Sequence, residues 1–330
     1  MTIPDGPGAS LSPGARTIYP CGRFLPPIFV GLLVTAATVF SARAAAQAPP
    51  DTARAGPTAA EGAELEHGPF LRAATDLGSG LVDLAKDGWH VVTVPTRMTT
   101  EDAWVLGGVL GVGGLLYVWD EGLLNALQRQ DGHAIHDGMR EVGDFFEPLG
   151  LMGNTNAWYG VGILTGYLSG WDPLLHASRD LLVSHWLSAA TYNPPRTWIG
   201  RARPEGGRGP RAFGGGTGLP SGHASTIVQV AAVLSHHIGW TPASVALWGA
   251  VGAVLVQRVD SGKHWPADVW IGAAWGYGVA RLVLRRADER RATDTDGTTG
   301  GDTTGAAIRI TPYVDARSGQ PGVAVSVPLR

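Results

Sequence analysis

The chain has 330 residues, enough to bury the core of one large domain, so disorder over its whole length is excluded. Its residues are 44% hydrophobic and only 16% charged, against about 25% charged for an ordinary soluble domain, which sets it between the soluble and membrane classes. A net charge of −3 argues against a protein that coats nucleic acid, and the single cysteine, Cys21, leaves the rest of the chain without a thiol for a disulfide, a zinc site or a nucleophile.

In chain order, Arg16 and Arg23 precede an apolar run from Phe24 to Phe40, and Ala44 and Ala46 follow with A-x-A spacing. That order predicts a secretory signal peptide over residues 1–46, with an uncleaved anchor as the alternative. Residues 47–70, rich in Pro, Ala, Gly and acid, predict a linker, and Phe70 to Lys86 has helical spacing. Apolar stretches then run from Ala103 to Trp119, Asn156 to Trp171, Asp180 to Tyr192, Ala224 to Trp240, Pro242 to Val256 and Asp268 to Leu284, with Gly or Pro at their ends. They predict six core helices in an all-α domain over residues 71–285. The polar, low-complexity run after Arg286 predicts a disordered linker over 286–307 in which nothing packs. Alternation in Ile308 to Tyr313 and Val323 to Val327, around a Ser-Gly-Gln-Pro-Gly turn at 318–322, predicts a small β-hairpin within 308–330.

Most of the apolar runs span 13 to 17 residues, short of the ~20 a bilayer requires, and His185, Gln229, His236 and His237 interrupt two of them. The five arginines from Arg281 to Arg291 also fall on the outer side if every run crosses. The expectation is an exported helical bundle, periplasmic or envelope-associated, soluble or peripheral to a membrane. An integral membrane protein is the alternative.

Three blocks hold most of the polar residues that the helical pattern leaves unexplained. The first, Arg196 to Pro204 (RTWIGRARP), follows the third predicted helix. Its guanidinium groups match phosphate oxygens, although a basic helix end that complements the dipole fits the same residues. The second is Pro220-Ser221-Gly222-His223, where Ser221 suits an N-cap, Gly222 admits a ligand to the backbone, and the free N–H groups of a helix start favour an anion. Read alone, it is also a plain capped turn. The third runs from Gln257-Arg258 to His264 and Asp268. A helical turn there sets carboxylate beside imidazole, which suits nucleophilic chemistry or an ordinary surface pair.

Together the blocks read R-x6-R-P, P-S-G-H and Q-R-x5-H-x3-D, and over about residues 75 to 285 the chain resembles the superfamily of type 2 phosphatidic acid phosphatases, bacterial acid phosphatases and vanadium haloperoxidases, whose signature is K-x6-R-P, P-S-G-H, S-R-x5-H-x3-D. Arg196 stands where that family has lysine, in a chain whose only lysines are Lys86 and Lys263, and Gln257 stands where it has serine. The resemblance implies a six-helix core and a metal-independent phosphatase. His264 would attack phosphorus to form a phosphohistidine, Asp268 would fix its tautomer, and His223 would protonate the leaving oxygen and then activate water. Arg196, Arg203, Arg258, Ser221 and Gly222 would hold the phosphate. No cofactor is implied, and His133 with His136 reads as loop residues after the first helix, lacking a third metal ligand nearby.

The glycine-rich loop from Glu205 to Leu219, with Arg208 and Arg211, is expected to border the site mouth. Export and an apolar body point to an envelope lipid phosphate or pyrophosphate, with small soluble phosphomonoesters as further candidates. The alternatives are a vanadate-dependent haloperoxidase and a non-catalytic, membrane-associated binding protein.

Overall fold

The computed structural model describes residues 69–299, 309–314 and 321–326. The signal peptide expected over 1–46, Cys21 and nearly all of the linker expected over 47–70 lie outside the described residues. Eight α-helices follow: α1 Pro69–Val92, α2 Thr100–Gln128, α3 Ala134–Phe146, α4 Met152–Ser169, α5 Asp172–Ile199, α6 Gly222–Ile238, α7 Pro242–Asp260 and α8 Pro266–Thr299. The all-α expectation holds: α1 covers the helical spacing at Phe70 to Lys86, six helices cover the six predicted core runs, and α3 is the one helix not predicted among the described residues. Farther on, β1 Arg309–Val314 pairs antiparallel with β2 Pro321–Ser326 in the register Arg309↔Ser326 to Val314↔Pro321.

Helix α6 is the centre of the bundle, because its run of Ala224, Ile227, Val228, Val230, Ala231 and Val233 is buried on all sides. It packs against α8, α7 and α5, while α3 lies on α7 and α4 on α5. The approach of α8 to α6 depends on missing side chains. A Cβ on Gly272 would stand 2.3 Å from the Ser221 carbonyl oxygen, and one on Gly276 would stand 2.3 Å from that of Ser225. Two glycines one turn apart therefore bring the backbones into contact, and this sets the second block, at the start of α6, beside the third, at the start of α8.

Three expectations are corrected. His136 is not a loop residue but sits in the first turn of α3, while His133 stays in the connection before it as the N-cap. Asp137 and Arg140 mask the apolar spacing of α3, and His136 is buried there with Nε2 3.3 Å from Asp260 Oδ1. The linker expected from 286 onward is helical to Thr299 and packs, because buried Asp87 and Asp180 recruit its arginines: Arg290 Nη1 lies 2.7 Å from Asp87 Oδ1 and Arg291 Nη2 3.2 Å from Asp180 Oδ2. The third predicted helix, expected over Asp180 to Tyr192, absorbs Pro194 and Pro195 and continues to Ile199, so Arg196 sits in its last turn rather than after it.

Helix α2 presents most of its apolar surface outward, with Trp104 78%, Val105 68% and Val118 75% exposed. Both α2 and α7 are long and apolar enough to cross a membrane, yet the apolar window of α2 is 6% buried and that of α7 50%. By this measure α7 is partly a core helix, whereas α2 is not.

Candidate active site

Each of the three blocks folds at a helix end, and four elements bring them together. Helix α5 closes at Gly200, whose φ of 54° lies in the left-handed region that glycine adopts without strain. The following strand-like segment is laced to the glycine-rich loop by backbone bonds: Phe213 N–H to Ile199 (2.7 Å), Gly216 N–H to Gly200 (2.9 Å), Gly218 N–H to Arg201 (2.9 Å) and Ala202 N–H to Arg211 (3.0 Å). Arg196 donates from Nε to the Thr217 carbonyl at 2.9 Å, and Arg203 reaches the Thr217 hydroxyl at 3.4 Å. One short stretch of loop thus orients both arginines. Arg208 donates to the Gly214 carbonyl at 2.9 Å and braces the loop from within. Beside it, Arg203, Glu205, Arg208 and Thr217 line a cavity of about 340 Å³.

Ser221 is the N-cap of α6 as its sequence predicts, accepting from the Ala224 N–H at 3.4 Å, and it is fully buried. Its own N–H donates to the Asp268 carbonyl at 3.0 Å, which ties the start of α6 to the start of α8. Gly222 needs its missing side chain, since a Cβ there would lie 2.9 Å from the Tyr192 hydroxyl and 3.3 Å from Arg196 Nη1. That proximity puts Arg196 beside the first N–H groups of α6. His223 is mostly buried, with Nε2 3.6 Å from Glu147 Oε1.

From α7, Arg258 donates to Glu147 Oε1 at 2.5 Å. Gln257, in the position of the family's serine, donates from Nε2 to Asp144 Oδ1 at 2.6 Å, which fastens α7 to α3. The longer amide thus has a partner on α3, across a close contact in which a Cβ on Gly143 would lie 2.6 Å from Gln257 Cβ.

His264 lies just before α8 and is 1% exposed. Its Nδ1 stands 3.0 Å from the Gly218 carbonyl and 3.7 Å from Asp268 Oδ2. A carbonyl only accepts, so Nδ1 carries the proton and the lone pair belongs to Nε2. The tautomer is therefore set by Gly218, and the expectation that Asp268 fixes it is corrected. Asp268 is the nearest anion, too far at 3.7 Å to be the hydrogen-bond acceptor. Its Oδ2 accepts instead from the Trp265 N–H at 3.0 Å, and its Oδ1 from Arg201 Nη1 at 2.7 Å.

Burial, and then the charges of Arg258, His264, Arg203 and Arg196, push the His223 imidazole down to about 3. Burial also lowers His264, with Asp268 pulling the other way and Arg203 and Arg258 reinforcing the decrease. Without a bound anion both rings are neutral at pH 7, as a nucleophile must be; a general acid would need a phosphate nearby to hold its proton.

The structure thus brings together Arg196, Arg203, Gly222, His223, Arg258, His264 and Asp268, with Ser221 as the buried cap beneath them. Sequence reasoning missed Glu147, Gly218, Arg201 and Asp120. Asp120 carried little signal, standing beside Glu121 just past the end of the apolar run Ala103 to Trp119. His133 and His136 lie elsewhere, at the start of α3, where the side chains of Asp131, His136 and Asp137 cluster.

A family model described as the PAP2 superfamily matches residues 159–292, a span that contains all three blocks. No curated protein and no solved structure matches the chain. The motifs, the helical fold and this match over residues 159–292 together support membership of the PAP2 superfamily, whose members are in general phosphatases.

Proposed function

We propose that this chain is a metal-independent phosphatase that hydrolyses phosphomonoesters or pyrophosphates of envelope lipids through a phosphohistidine at His264. The observation that carries this is the convergence of Arg196, Arg203 and Arg258 on His223 and His264, two imidazoles that burial, reinforced by the nearby guanidinium charge, keeps below the ordinary histidine value. Phosphoryl transfer asks chiefly for positioning and for positive charge around the equatorial oxygens, and three guanidinium groups supply the charge. The Gly222 N–H at the start of α6 adds a backbone donor.

In the first step the Nε2 lone pair of His264 forms a bond to phosphorus as the ester P–O bond breaks, and His223 passes its proton to the leaving oxygen. In the second, neutral His223 takes a proton from water, the water oxygen bonds to phosphorus, and the N–P bond breaks to release phosphate. Asp268 balances the imidazolium charge that the first step creates. Gly218 keeps the proton on Nδ1 throughout, so attack always comes from Nε2.

A lipid substrate is supported by α2, whose exposed Trp104, Val105, Leu110, Leu115 and Val118 form an apolar surface that would lie against a bilayer. Export through the segment 1–46 would deliver the domain to the envelope.

The test is to purify the full chain in detergent and measure phosphate release from lipid monophosphates, lipid pyrophosphates and soluble phosphomonoesters, then bromide oxidation with vanadate and peroxide. Release from lipid substrates in preference to soluble ones supports the proposal. Bromide oxidation without phosphate release would make the chain a haloperoxidase, and inactivity in every assay would make it a binding protein.

A further inference from the structure

Arg201 is the largest fully buried side chain among the described residues, and its guanidinium joins two carboxylates that are themselves fully buried. Nη1 donates to Asp268 Oδ1 at 2.7 Å, and Nη2 donates to Asp120 Oδ2. The group stacks over the Tyr117 ring, 4.3 Å from its centroid, with Trp265 5.9 Å away. Asp120 is fixed in turn by the Ala267 N–H, 2.9 Å from its Oδ1. Arg201 also acts through its backbone, since its carbonyl accepts the Gly218 N–H at 2.9 Å. Both groups that flank His264 Nδ1, the Gly218 carbonyl and the Asp268 carboxylate, are thus held by Arg201.

A fully buried carboxylate with no counter-charge takes up a proton, and a protonated Asp268 could no longer balance an imidazolium. Arg201 supplies the counter-charge, 2.7 Å away, but a lone arginine would also cancel the charge of Asp268. Asp120 on the second arm of the fork resolves the conflict: burial raises its carboxyl above the ordinary value, the Arg201 fork and the Ala267 N–H pull it back, and in its ionised form two carboxylates and one guanidinium leave one net negative charge behind His264.

We propose that Asp120 and Arg201 are positioning residues for the nucleophile, Arg201 holding the Asp268 carboxylate and Gly218 in place, and Asp120 preserving the net negative charge that His264 requires. The proposal rests on the phosphohistidine chemistry proposed above for its effect on turnover. The groups that face His264 from the surrounding elements are Asp268 on α8, Arg258 on α7, His223 on α6 and Arg203 before the loop, with Arg201 and, from α2, Asp120 behind Asp268.

The experiment compares the full-length wild type with Asp120→Asn, Arg201→Lys and Arg201→Gln, reading the pH profile of kcat/KM, the melting temperature, and the titration of His264 by ¹⁵N NMR. Asp120→Asn should lower the His264 titration by about one pH unit, a tenfold loss of proton affinity, and move the acidic limb with it. Arg201→Lys should recover at least about tenfold of the turnover lost in Arg201→Gln, since it keeps the charge. A purely structural buried salt bridge would lower the melting temperature of Asp120→Asn and leave both the limb and the titration where they were; that result overturns the proposal. Should Asp120→Asn not fold, an Arg201→Lys protein no more active than Arg201→Gln overturns it equally. The titration needs no turnover, so a wild type without phosphatase activity would sink the proposed function and still leave the positioning of His264 open to this measurement.

Discussion

Glu147 places one carboxylate oxygen 2.5 Å from Arg258 Nη1 and 3.6 Å from Nε2 of His223. An acid from the short turn between α3 and α4 thus occupies a guanidinium that a bound phosphate would need, and stands beside the ring that must carry the proton. Phosphate has to share or displace that contact, while the same charge favours protonated His223. Glu147→Gln should therefore tighten inhibition by inorganic phosphate several-fold and lower kcat. Inhibition constants and turnover from one titration check both signs, and a variant unchanged in both would make Glu147 a bystander.

Acidity should govern the reaction from both sides. His264 must be neutral to attack, and its lowered pKa places the acidic limb of kcat/KM below the ordinary histidine value. His223, held near 3 in the empty site, gains a proton only as the phosphate binds, so activity should fall above about pH 6, where a phosphomonoester loses its second proton. In Asp268→Asn the imidazolium loses its counter-charge, so the acidic limb should move to still lower pH and the maximum should drop. An unmoved limb in that variant would separate Asp268 from His264.

Arg196 should tolerate lysine better than alanine. Its Nε contact with the Thr217 carbonyl orients the side chain, but phosphate needs only the charge. Phosphate-release kinetics on the two variants decide this, and equal losses would mean that the guanidinium fork itself is required.

The contact between α6 and α8 has no room for a side chain at Gly276, where a Cβ would meet the Ser225 carbonyl at 2.3 Å. Gly276→Val should lower stability by about 1–3 kcal/mol or more, and should lower activity as well, because the same helix pair holds Ser221 to Asp268. Thermal melts alongside activity test this; a variant as stable as wild type would show that the helices can separate without harm.

How far the sequence discloses this site depends on whether a contact is local. Ser221, Gly222 and His223 are legible because one turn of helix defines what each does, and Arg196 and Arg203 because charge at a helix end has few uses. Arg201 lies inside the same block, yet its partners are 81 and 67 residues away, and no spacing encodes them. The role given to Asp268 followed from its four-residue offset from His264; the fold inserts Gly218 from the loop and turns the carboxylate toward Arg201. Helix α3 went unread because its charged residues break the apolar spacing and it buries only His136 and Gly143. The end of α8 went unread because its polar run is stabilised by Asp87 and Asp180, carboxylates on distant helices.

The most direct test of the central claim is a rapid acid-and-base quench of the purified full chain with a ³²P-labelled phosphomonoester, followed by peptide mapping. A phosphohistidine intermediate predicts label that is lost in acid, survives in alkali, maps to the peptide containing His264 and is absent from His264→Ala, while phosphate release stops in that variant with its fold intact. Label on another residue, or a His264→Ala protein that keeps most of the wild-type turnover, would contradict it.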